Sequence, residues 1–289
     1  MTSHADRFIT LGDDLRMHYR YRPGADQPVV VFLHGSFLSS RSWAEVMPQV
    51  LPEATLIAPD RPAFGLTSRP LPMQGEASVY GPDAQSDLIV RLLDQLGHPQ
   101  AVLVGNSTGG SLALYTALRY PQRVQGLVLV GAMAYSGYAT AQFPRWLPPF
   151  LRRIEPLGVA MMRFMIQRLF AKTLKSFWAD PTLVSAERLE AYRQDFQQGP
   201  WDHAWWELFL ASHPLHLAER LAQITQPCLV LSGEHDRTVK VEESVRLAED
   251  LPQARLVILK DCAHLPQEEV PLRFAEALNT FLQQLKPAV

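Results

Sequence analysis

Ala101-Val102-Leu103-Val104-Gly105-Asn106-Ser107-Thr108-Gly109-Gly110 decides the fold. An aliphatic, β-branched run enters a Gly-x-Ser-x-Gly turn, and the turn opens into a helix-forming stretch, Ser111 to Leu118, that stops at Tyr120-Pro121. A serine on so sharp a strand-to-helix bend has a strained backbone and an exposed Oγ, the posture of a nucleophile. Strand and helix also pass so close that the residues two before and two after must be small, which Gly105 and Gly109 satisfy. The pentapeptide alone is a weak signal, so the strand before it and the helix after it give it meaning.

Working outward, apolar runs recur with helical patterns between them. Strands are expected near Phe8 to Leu11, Arg16 to Tyr21, Val29 to Leu33, Thr55 to Ala58, Ala101 to Val104, Gly126 to Val130, Cys228 to Leu231 and Arg255 to Leu259. Helices are expected from about Ser42 to Val50, Pro82 to Leu96, Thr108 to Arg119, Val241 to Asp250 and Pro271 to Leu285. The first two strands read as a hairpin through Gly12-Asp13-Asp14. The later ones are almost continuously apolar, as strands covered by helices on both faces must be. The pattern predicts an α/β fold with a doubly wound, mostly parallel eight-stranded sheet.

Between about Ala134 and His216 the rhythm breaks. No convincing strand occurs there; prolines punctuate helical stretches rich in Met, Phe, Trp and Arg. This reads as a helical lid inserted after the sixth strand, dividing the chain into a first core part (1–133), a lid (134–216) and a second core part (217–289).

At 289 residues and 47% hydrophobic, the chain is long enough for one large core with such an insertion. A formal charge of −2 leaves no global field to attract nucleic acid, so a small apolar molecule and water are the expected partners. Met1 to Arg7 has no apolar signal core and no later segment reads as a membrane span, so a cytoplasmic location is expected. Cys228 and Cys262 form neither a metal spacing nor a disulfide framework, and no cofactor or metal is expected.

A nucleophilic serine needs a base, and the base needs a group that fixes its tautomer. In a doubly wound sheet these stand on loops after strand ends, which leaves few candidates. After Leu231 comes Ser232-Gly233-Glu234-His235-Asp236, and after Leu259 comes Lys260-Asp261-Cys262-Ala263-His264. The order Ser107, Asp236, His264 is that of α/β-hydrolases. Over nearly its whole length the chain resembles a lidded member of that family. His34-Gly35-Ser36-Phe37 with Trp43 is similar to the oxyanion loop, Asp60-Arg61-Pro62-Ala63-Phe64-Gly65 to the loop after the fourth strand, and His264-Leu265-Pro266 with Glu269 to the segment at the catalytic histidine.

The resemblance implies Ser107 as nucleophile, His264 as general base and then acid, and Asp236 as orienting carboxylate, with Glu234 and Asp261 as competing acids. The oxyanion hole needs two amides. Thr108 offers one at the first turn of its helix. The family pattern points to Ser36 for the other, with Phe37 in reserve. His34 and Asp60 are expected to shape their loops.

Lid and loop residues Phe37, Trp146, Met161, Met165 and Trp205 are expected to wall an apolar pocket. The lid arginines Arg145, Arg152, Arg153, Arg163 and Arg168 leave open an amphipathic, membrane-contacting lid. Hydrolysis of a carboxylic ester through an acyl-enzyme on Ser107 is the expected reaction. The Gly-Asn-Ser-Thr-Gly-Gly elbow is also similar to that of meta-cleavage product hydrolases, which break a carbon-carbon bond. Those enzymes typically carry a tryptophan after the catalytic histidine and a histidine after the elbow glycines, where this chain has Leu265 and Ser111. Cofactor-free haloperoxidase or perhydrolase chemistry, and a ligand receptor that keeps the fold, complete the alternatives.

Overall fold

The computed structural model describes residues 5–12, 15–25, 28–72, 78–135 and 147–285. Among them, eight strands pair in one sheet: β1 (Ala5–Leu11), β2 (Leu15–Arg22), β3 (Val29–Leu33), β4 (Thr55–Pro59), β5 (Ala101–Asn106), β6 (Val124–Val130), β7 (Cys228–Gly233) and β8 (Ala254–Leu259). Their spatial order is β1-β2-β4-β3-β5-β6-β7-β8. The β1/β2 hairpin and the β2/β4 pair are antiparallel, and every later pair is parallel. The helices are α1 (Pro82–Gln95), α2 (Thr108–Arg119), α3 (Pro148–Arg153), α4 (Glu155–Ser176), α5 (Ala186–Phe196), α6 (Trp201–Ala211), α7 (Val241–Asp250), α8 (Pro266–Glu269) and α9 (Pro271–Gln284).

The central strands are buried throughout because both faces are covered. Alternation sends Val31, Leu33 and Leu103 toward α1, α2 and α7, where Leu92, Leu112 and Leu247 meet them. Val30, Phe32 and Val104 face the other way, against Trp43, Phe274 and Leu278. The chain leaves β3 toward β4 and then returns past it to β5. Neighbouring β3 and β5 are thus the point where strand order reverses, and a crevice opens at their carboxyl ends.

The helix expected from Ser42 to Val50 does not form. Two 3-10 turns, Ser40–Trp43 and Met47–Gln49, stand there instead, closed by bonds such as Ala44 N–H to Arg41 O and Gln49 N–H to Val46 O. Pro48 explains the difference, since it lacks the amide a continuing helix requires and its ring would strike the carbonyl one turn back.

Helices α3 to α6 lie between β6 and β7 as the lid. Their core of Phe170, Leu174, Tyr192, Phe196, Trp205 and Trp206 continues into Leu38, Phe64, Tyr80 and Leu265 of the main body. Helix α5 is also tied down by polar groups. Asp195 accepts from Arg41 Nε at 2.9 Å and Ser39 Oγ at 2.7 Å, Arg69 donates to the Asp195 and Phe196 carbonyls, and Tyr192 donates to Glu268 at 2.6 Å.

The loops after β3 and β4 are joined by a buried polar frame. Asp60 accepts from the Ser40 and Leu66 amides and from His18 Nδ1 at 2.7 Å. Burial opposes its charge, but those bonds, the His18 one foremost, hold the carboxyl well below the usual range. His34 is pushed down to about 4 by burial, with the Arg61 guanidinium adding to the effect. It is therefore neutral: Nε2 accepts the Arg61 amide at 3.0 Å, so Nδ1 carries the proton and donates to Gly35 O at 2.8 Å.

Two outcomes are expected. A Cβ at Gly105 would lie 2.4 Å from Gly109 O and one at Gly109 2.2 Å from Leu33 O, backbone that cannot step aside, whereas one at Gly97 (φ +76) meets nothing. Gly105→Ala and Gly109→Ala should each cost about 3 kcal/mol or more in chemical denaturation, against about 1 kcal/mol for Gly97→Ala; equal losses would mean the crossing yields. The second concerns acid. A histidine depressed on folding contributes stability that is complete above its ordinary value of 6.5 and is lost as pH falls toward about 4, and Asp60 adds a loss below 3.8. The melting temperature should drop between pH 7 and 4.5, and His34→Asn should flatten that slope; an unchanged slope would remove His34 as its source.

Candidate active site

Ser107 joins β5 to α2 with φ 55 and ψ −121, a backbone region that side chains rarely adopt. The bend is held from several sides. Ser107 N–H donates to Val130 O at 2.9 Å, and Ser107 O accepts the Gly110 amide at 2.9 Å. Asn106 Nδ2 reaches across to His264 O at 3.0 Å, so the residue before the serine holds the main chain of the histidine, 158 positions away.

His264 and Asp236 stand on the loops after β8 and β7. Asp236 Oδ2 accepts from His264 Nδ1 at 2.8 Å, with both side chains almost fully buried. Its other oxygen accepts the Thr238 amide at 2.8 Å and the Val239 amide at 3.0 Å, which fixes the carboxylate plane. With Nδ1–H committed to the carboxylate, neutral His264 has its lone pair on Nε2. The pair sits against Gly131, where a Cβ would come within 2.8 Å of Asp236 Oδ2 and 3.0 Å of His264 Nδ1. The competing acids are engaged elsewhere: Glu234 accepts the Asp261 amide at 2.6 Å, and exposed Asp261 lies 3.5 Å from Arg273. Behind His264, Glu269 accepts the amides of Ala263 and Ala179, and Phe177 O accepts the His264 amide at 2.9 Å, so the histidine loop is fastened to the end of α4.

The loop after β3 presses on the same spot. A Cβ at Gly35 would lie 3.0 Å from Ser107 Cβ, and Ser36 Oγ is 3.2 Å from Thr108 Oγ1. Phe37 holds a positive φ of 65 while its ring stacks on Phe196 and packs on Trp205, so lid aromatics fix the loop's shape. Arg61 locks the arrangement from below, donating to His34 O at 2.8 Å, Thr108 Oγ1 at 3.0 Å and Gln85 Oε1 at 3.0 Å.

Over these residues lies a cavity of about 620 Å³, walled by Ser36, Phe37, Arg61, Ser107, Thr108 and Thr238 below and by lid residues above. Met161, Met165 and Trp205 are among the latter; Trp146 falls outside the described residues. Sequence reasoning did not select Met162, Ile166, Leu169 and Thr173, which share one face of α4 with Met161 and Met165; the helical period was the available signal. Nor did it select Phe177, which lines the cavity and packs on the His264 ring at 5.3 Å, or Arg61, among the described lining residues the one with a formal charge.

Residues 28–271 match the alpha/beta hydrolase fold model. A 2-hydroxy-6-oxo-2,4-heptadienoate hydrolase of Pseudomonas putida is 33% identical, the match covering 90% of either chain. A meta-cleavage product hydrolase of Pseudomonas fluorescens superimposes with a TM-score of 0.68 at 25% identity, covering 93% of this chain and 96% of the other. A thermophilic esterase of Thermogutta terrifontis shares the fold, with a TM-score of 0.73 at 23% identity and coverage of 98% and 99%. With the family model spanning most of its length, and these elements in this order, the chain belongs to the alpha/beta hydrolase family and is a hydrolase.

Proposed function

We propose that the protein is a serine hydrolase that cleaves carboxylic esters of apolar, small to medium substrates, with residues 134–216 serving as the lid over the site. The observation that carries this reading is the 2.8 Å His264–Asp236 bond beneath an apolar cavity that Ser107 lines. In this scheme His264 Nε2 takes the Ser107 proton as Oγ attacks the ester carbonyl. The Thr108 amide, at a helix N-terminus without an intrahelical acceptor, and the Ser36 amide stabilise the oxyanion. His264 then protonates the departing alcohol, and water repeats the sequence on the acyl-enzyme. Asp236 keeps the imidazole in the needed tautomer and balances its charge when protonated.

The lining supports an apolar substrate. Met161, Met162, Met165, Ile166, Leu169, Trp205, Leu208 and Phe209 offer apolar, partly adaptable walls. Carbon-carbon hydrolysis is the second reading, favoured by the names of relatives such as the heptadienoate hydrolase. A dienoate brings a carboxylate into the cavity, and burying that charge calls for a cation to balance it. Among the described lining residues, Arg61 alone is cationic, and its Nε and Nη1 already serve Gln85, His34 and Thr108. The ester reading demands no such partner.

A fluorophosphonate probe should label the wild-type protein and not Ser107→Ala. That variant should lose about 10³-fold or more in kcat on p-nitrophenyl butyrate with an unchanged melt, and Asp236→Asn should lose about 10³- to 10⁴-fold. Retained turnover in Ser107→Ala would remove the nucleophile from the scheme. A panel of p-nitrophenyl esters of graded chain length, run beside a vinylogous diketone ring-fission product, decides between the reactions. Esters are expected to lead in kcat/KM, and a preference for the diketone by orders of magnitude would establish the second reading instead.

A further inference from the structure

The outer face of the lid is unlike the rest of the surface. Phe150, Ile154, Leu157, Met161, Phe164 and Leu169 are all large, apolar and exposed, Leu157 at 69% and Phe164 at 59%. The spacing of Ile154, which immediately precedes α4, and of Leu157, Met161 and Phe164 within it sets them on one side of the helix, away from buried Val159, Met162, Ile166 and Phe170. From Ile154 to Phe164 the stripe runs about 15 Å. Single exposed apolar residues are ordinary, whereas a continuous row marks a contact surface.

Charge says what covers it. Residues 148–176 hold Arg152, Arg153, Arg163, Arg168, Lys172 and Lys175 against one carboxylate, Glu155, in a chain whose formal net charge is −2. Arg152 and Arg163 turn inward to Glu207 and Asp202 of α6. Arg153 and Arg168 lie over the exposed rings of Phe150 and Phe164, at 5.5 and 5.0 Å, so cations flank the apolar row itself. Helical spacing continues the row through Arg168, Lys172 and Lys175, so the side is apolar in its first half and basic in its second. A second copy laid along the whole length of the row would set cations on apolar groups or on other cations. An anionic lipid surface accepts both halves, the apolar row entering the acyl boundary and the cations resting among phosphates.

The row is continuous with the cavity. Met161, Met165 and Leu169 are each exposed and yet line it, so they form a rim through which the cavity meets the stripe. No helix of the described residues is long and apolar enough to cross a membrane, so this contact lies on the surface rather than through it. We infer that the outer face of α3 and α4 docks on bilayers rich in anionic phospholipid and draws acyl esters sideways from that surface past Met161, Met165 and Leu169. The docking stands on the surface alone; the ester supply rests on the serine hydrolase reading above.

Flotation of the full chain with phosphatidylglycerol/phosphatidylcholine vesicles tests it. Wild type should float with the anionic vesicles, several-fold less with phosphatidylcholine alone and several-fold less again in 0.5 M NaCl. The double substitution Leu157→Ser/Phe164→Ser removes two exposed side chains outside the cavity wall. It should lower partitioning at least tenfold while leaving the melt and p-nitrophenyl acetate turnover in vesicle-free buffer unchanged. Ser107→Ala should float like wild type. Absence of wild-type flotation, equal flotation of the double variant, or a wild-type dimer that the double variant abolishes would each overturn the proposal. Flotation by a chain that hydrolyses no ester would sink the serine hydrolase reading and leave the docking surface standing.

Discussion

Everything at the site depends on how closely three pieces of backbone are forced together where strand order reverses. Gly109 has no room for a side chain because the carbonyls of Leu33 and His34 press against it, and Gly105 has none because Gly109 and Gly110 do. These contacts fix the first turn of α2 against the end of β3. The loop leaving β3 must therefore pass over the serine bend, with Gly35 nearly touching Ser107. The Ser107 side chain and the loop leaving β3 are thus juxtaposed by main-chain packing, which costs no side-chain entropy.

Two buried groups near that crossing are each held in one protonation state. His34, buried beside Arg61, stays neutral and spends both ring nitrogens on backbone. Asp60, equally buried, keeps its charge because His18 and two amides surround it. Burial pushes both thiols, Cys228 and Cys262, up to about 12, so neither offers a rival nucleophile at neutral pH. His264 is left as the imidazole whose Nδ1 faces a carboxylate and whose ring borders a cavity-lining aromatic.

Much of this was legible because burial on both faces writes strands as unbroken apolar runs: Val29–Leu33 and the helix Val241–Asp250 appear where the pattern puts them. The serine bend was legible for a steric reason, and the loops that carry Asp236 and His264 for a topological one. The segment from Ser42 to Val50 misled because an apolar period survives in 3-10 turns, while Pro48 forbids the bonds of a longer helix. In the lid, composition announced Met161, Met165 and Trp205, but α4 is apolar nearly all round. Which of its sides meets the cavity is set by docking on α6, a tertiary fact with no local signature. Arg61 and Phe177 were hidden for the same reason.

The lid is fastened unevenly. Asp195, held by Arg41 and Ser39, and Tyr192, held by Glu268, weld α5 to the main body, and Glu269 rivets the far end of α4. Helix α3 and the first turns of α4 meet chiefly α6, another lid element. The insertion thus has a polar seam to the main body along one side and a panel held by other lid helices along the other. Changes confined to that panel would alter what the cavity admits while the seam stayed in register.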